Sequence, residues 1–147
     1  MTDNVTSELA NLLLAVQSRN MTWYSTALDG VADTDPDVVI DTLQTTTFAL
    51  LGAMAQADPS TITDIQLDTL ADQLAADLYA WEPQLPPSAL HAVLYACVGR
   101  DSHIDRYEPA ALFVACSYVA AELLPTDPHQ VMRALHNAYA QARGRST

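Results

Sequence analysis

The sequence predicts an all-α fold: a single-domain bundle of about six helices around a buried central helix, the fifth in chain order. Three observations lead there. Apolar residues recur at i, i+3 and i+4 along most of the chain. Proline pairs with Asp, Glu or Ser where helices should begin. No segment alternates polar and apolar residues as a half-buried strand does.

Residues 5–28 form the first expected helix, with Val5, Leu9, Leu12, Leu13, Val16, Trp23, Tyr24 and Leu28 on one stripe. Asp35-Pro36 opens the second, which runs through Val39, Leu43, Phe48, Leu51 and Met54. Its β-branched clusters, 38–40 and 45–47, weaken helix propensity without breaking the period. After Asp58-Pro59 a third helix (about 62–81) places Leu67, Leu70, Leu74, Leu78 and Trp81 on a narrow face. Pro86-Pro87-Ser88 introduces the fourth, ending at the C-cap candidate Gly99. Glu108-Pro109 starts the fifth and Thr126-Asp127-Pro128 the sixth, which should end before Gly144. The fifth is apolar nearly all round from Ala110 to Val119, so it must be enclosed.

At 147 residues and 15.9 kDa the chain is one domain's length, read as 1–147 throughout. Its formal charge of −12 lies wholly in an acidic half, 1–82; the half 83–147 is neutral, and a Pro-rich turn at 82–88 joins them. Six Arg and no Lys against eighteen acids argue against nucleic acid and anionic membranes as partners. Four scattered glycines form no phosphate-binding loop, so no nucleotide cofactor is expected, nor any other. The apolar run 110–121 is too short to span a membrane. With no basic leader and two cysteines, the expected compartment is the reducing cytoplasm.

Four sets of residues invite functional readings. Asp64, Asp68 and Asp72 fall at i, i+4 and i+8, where like charges repel and a cationic protein would relieve them. The plain alternative is a solvated face that aids solubility. Trp23, Tyr24, Trp81, Tyr95 and Tyr118 are candidates to line an apolar ligand pocket, or simply core. Asp101, His103, Asp105 and Glu108, in the connection before the fifth helix, offer metal-ligand chemistry or a turn laced by Arg100 and Arg106. Asp33, Asp35 and Asp37 mimic a calcium loop, but Val38 and Gln44 stand where it needs Gly and Glu.

Cys97 and Cys116 would sit about 9 Å apart along an antiparallel pair, too far for a disulfide, with Cys116 a buried structural thiol. His129, Arg133 and His136, with Arg143 and Arg145, form a mildly basic face that a second copy's acidic half would complement, giving a homodimer. Charge segregation without catalytic spacing favours a non-catalytic interaction or regulatory protein whose acidic surface binds a basic protein partner. A small-ligand-binding bundle and a metal-dependent enzyme using residues 101–108 stand as alternatives.

Overall fold

The computed structural model describes residues 3–31, 34, 36–56, 58–79, 87–100, 107, 109–124 and 126–146. It is an all-α bundle. Among the described residues there are seven α-helices: α1 (Asp3–Gln17), α2 (Met21–Val31), α3 (Pro36–Ala55), α4 (Asp64–Tyr79), α5 (Pro87–Cys97), α6 (Pro109–Leu123) and α7 (Pro128–Ser146). A 3-10 turn at Pro59–Thr61 links α3 to α4. Four α-helices begin at proline, where the missing N–H is not needed. The residues of the Pro-rich turn before Pro87 and the Asp33-to-Asp35 carboxylates lie outside the described set.

The count rises from six to seven because the expected first helix is two. At its break, Arg19 takes a left-handed φ of 53°, with Arg19 N–H bonded to Val16 O at 3.0 Å and Asn20 N–H to Ala15 O at 3.1 Å. This is a Schellman C-cap, with Arg where glycine is usual. Asn20 then caps α2, its Oδ1 accepting from Trp23 N–H at 3.0 Å. Gly99 does follow the expected rule. At φ 78° it closes α5, with Gly99 N–H to Ala96 O at 3.1 Å and Arg100 N–H to Tyr95 O at 2.9 Å.

Other ends are closed by side chains. Thr63 and Gln66 form a capping box at α4, each side chain accepting from the other's backbone N–H, at 2.9 and 3.2 Å. Asp127 caps α7 through His129 N–H at 3.0 Å. That last helix continues through Gly144 to Ser146, since one glycine costs a helix only about 1 kcal/mol.

The apolar helix read as the fifth is therefore α6, and its inner half is enclosed. Ala115 through Ala121 are buried on every face, against α1, α3 and α5. Leu112, Phe113 and Val114 are only partly buried, so the N-terminal end of α6 reaches the surface. Nor does every segment wrap this helix. α7 packs on α3 and α1, α2 leans chiefly on α1, and α4 on α5. α3 is a second hub, touching α5, α6 and α7.

α3 is also, by length and composition, the one helix among the described residues long and apolar enough to cross a membrane. Three of its threonines are buried. Thr42, Thr46 and Thr47 return their hydroxyls to the carbonyls of Val38, Thr42 and Leu43 at 2.7–2.9 Å, which lets β-branched polar residues lie within the core.

Two polar devices fix α6. Ser117 Oγ–H donates to Val114 O at 2.7 Å, so the Tyr24 hydroxyl donates to Ser117 Oγ at 2.8 Å, both buried. The rings of Tyr24 and Tyr118 meet at 5.5 Å, tilted by 47°. At the other end, Gln17 Nε2 donates to the Ala121 and Leu124 carbonyls at 3.0 and 3.2 Å, and Arg19 pairs with Glu122. The positive head of Arg19 thus sits beside the C-termini of α1 and α6, where the helix dipole favours it. Tyr24→Phe and Ser117→Ala are each expected to cost about 1 kcal/mol in denaturant unfolding. The double variant should cost less than the two losses combined; strict additivity would show that the hydroxyls do not interact.

Candidate functional site

α4 and α5 run antiparallel, as the pairing of their residues shows. Asp72 and Asp68 meet His91, Asp68 meets Tyr95, and Asp64 meets Arg100 just beyond the end of α5. The i, i+4, i+8 spacing does place Asp64, Asp68 and Asp72 along one edge of α4, and that edge borders α5. His91 Nδ1 lies 3.1 Å from Asp68 Oδ1 and Nε2 3.1 Å from Asp72 Oδ1. A carboxylate only accepts, so both contacts are hydrogen bonds when the ring is imidazolium. Arg100 donates to Asp64 Oδ1 at 2.6 Å, to Ser60 O at 3.1 Å and to Ile62 O, tying the end of α5 to the turn before α4. The carboxylates stay wet all the same: Asp64, Asp68 and Asp72 are 66%, 49% and 73% exposed. Arg100 relieves part of their mutual repulsion, and their outer sides face water.

The four described aromatic pocket candidates do not converge. Tyr24 and Tyr118 share the core. Half-buried Trp23 donates from Nε1 to Asn11 Oδ1 at 2.6 Å on the α1–α2 face. Tyr95 belongs to the α4–α5 edge and donates to Asp68 at 2.9 Å. That hydrogen bond, then desolvation and the charges of Asp64 and Asp68, push its phenol up from 10.0. Trp81 lies outside the described residues, as do the metal candidates Asp101, His103, Asp105 and Glu108. Among the described residues no group of three or more His, Cys, Asp or Glu is arranged to hold a metal ion. Asp68 and Asp72 approach opposite nitrogens of His91 and so do not aim at a common point. His129, Arg133 and His136 are exposed on α7, while the side chains of Arg143 and Arg145 lie outside those described.

The feature that sequence reading missed is an open groove of about 350 Å³ between the last turn of α3 and the outer side of α4. Leu51 and Leu67 form its floor, and Ile62 and Leu70 its half-buried walls. Met54 and Ile65, 59% and 78% exposed, stand on its rims. Periodicity alone contains a trace of it, because Ile65 breaks the polar pattern of α4's exposed face. A second cavity of about 300 Å³ lies between α3, α5 and α7, bordered by Asp41, Gln44, Phe48 and Cys97.

Both cysteines are free thiols. Burial pushes the Cys116 thiol up to about 12, and burial followed by the neighbouring Cys116 pushes that of Cys97 higher still. His91, the histidine of α5, has both ring nitrogens engaged with Asp68 and Asp72 rather than with a thiol. Comparison with protein-family models, with characterised proteins and with solved structures found no match.

The thiol environment has a measurable consequence. Cys116 should not react with iodoacetamide at neutral pH while the protein is folded, half-buried Cys97 should react only slowly, and both should react once guanidinium unfolds it. Since both thiols titrate above their unfolded value of 9.0, their contribution to stability is intact below about pH 9 and declines as pH rises beyond it. Rapid labelling of the native protein at pH 7 would contradict this assignment.

Proposed function

We propose that this is a non-catalytic helical interaction protein whose acidic surface, centred on α4, receives a basic protein partner. One observation carries the reading. Between Asn20 and Leu90 there are eleven acidic residues and no Lys, Arg or His, and the α4 carboxylates among them stay exposed although His91 on α5 and Arg100 just past it contact them. A stretch of chain carrying charge of one sign raises the encounter rate with a cation-rich surface and selects against acidic ones. Asp77, exposed on α4 outside the α5 border, widens that surface. Two protonated, unbridged thiols are in keeping with a reducing compartment such as the cytoplasm.

The test uses an oligo-arginine peptide titrated against the full chain. Binding should weaken progressively as salt is raised and fall further in Asp68→Asn/Asp72→Asn. An affinity that is absent at low salt, or indifferent to these substitutions, removes the proposal.

A further inference from the structure

We infer that the groove between the end of α3 and the outer side of α4 seats the apolar face of a basic amphipathic helix belonging to a protein partner. This rests on the interaction reading above and assigns it a place and a binding mode. Among the described residues the exposed large hydrophobics are Met21, Phe48, Met54 and Ile65, and two of the four stand on the rims of this single groove. Leu51 and Leu67 beneath them are fully buried, so the groove is a continuation of the core opened to water. A volume of about 350 Å³ suits about three leucine-sized side chains, the set a helix presents at i, i+3 or i+4, and i+7. A free small molecule would remain largely exposed in so open a site, whereas ligand pockets bury most of their ligand.

The charge around the groove determines the occupant. Asp68 stands three residues after Ile65, Asp72 three after Thr69, and Asp77 four after Gln73, so each neighbours a groove residue on the α4 surface. From the other side comes the C-terminal end of α3, whose last turn carries no basic residue and whose dipole adds negative charge. An apolar floor between negative edges complements a helix with a leucine-type stripe flanked by Arg or Lys. A second copy of this chain fits poorly. Its basic helix, α7, already buries Val131, Leu135 and Ala138 in its own bundle and exposes polar residues.

The experiment compares two synthetic peptides of one composition: one with leucines at i, i+3, i+4 and i+7 and arginines between, the other a scrambled isomer. The amphipathic peptide is expected to bind the full chain about tenfold more tightly than the isomer, a difference of about 1.4 kcal/mol. Met54→Ser and Ile65→Ser should each erase most of that advantage at any salt concentration, while Asp77→Asn weakens both peptides at low salt only. These side chains are exposed, and circular dichroism should show the fold unchanged; Thr69→Arg, also exposed, should block the groove independently. If both peptides bind equally and the groove variants change nothing, the groove inference falls while the acidic-surface reading stands. If neither peptide binds at low salt, both fall. Concentration-dependent self-association abolished by Ile65→Ser would identify a second copy as the occupant and overturn the inference.

Discussion

Enclosing the inner half of α6 is the constraint from which the rest of the bundle follows. Ala115 through Ala121 have no face turned to water, so helices must approach from several sides at once. Small residues make this possible: Ala115, Ser117, Ala120 and Ala121 let α1, α3 and α5 come close where larger side chains would overfill the interior. The polar atoms carried inward are answered locally. Ser117 is satisfied by Tyr24 and Val114, and the terminal carbonyls of α6 by Gln17. The short link between α1 and α2 acquires its importance here, because its Schellman turn swings α2 so that Tyr24 reaches α6, and leaves Gln17 and Arg19 at that helix's far end.

Charge is arranged on a different principle from the core. α4 lies outside α5 and contributes one narrow apolar face, through Leu67, Ala71, Leu74 and Leu78. Its acidic edge is held to α5 by His91, Tyr95 and Arg100, contacts that are too exposed to add much stability but that set the register of the two helices. The same helix turns Ile65 and Leu70 away from α5 toward the end of α3. One 16-residue element therefore joins a hydrated anionic edge to an open apolar groove. The proposed partner would use this juxtaposition, since charge steers an encounter and apolar contact holds a complex.

Local chemistry made much of this legible in advance. The proline-led starts, the Asp127 cap, the glycine end of α5 and the enclosure of Ala115 onward were all written in short-range pattern. The break at Ser18–Asn20 was not, because Arg19 adopts a conformation that glycine usually marks, and the apolar period runs on across it. The α4 aspartates were visible as a stripe, yet nothing in their spacing named His91, Tyr95 and Arg100, which lie 19 to 36 residues away. The aromatic set was chosen by residue type alone. It scattered, because large rings serve core packing, surface contacts and hydrogen bonding with equal ease.

Helical periodicity, caps and charge distribution are properties of neighbouring residues, so the chain by itself determined that it would be an acidic helical bundle with the inner half of one helix sequestered. Which edges face one another depends on how whole helices pack, and that is a balance of many weak, non-local contacts. Tertiary structure alone decided that the acidic stripe borders α5, that His91 turns to that stripe, and that Met54 and Ile65 flank a common groove.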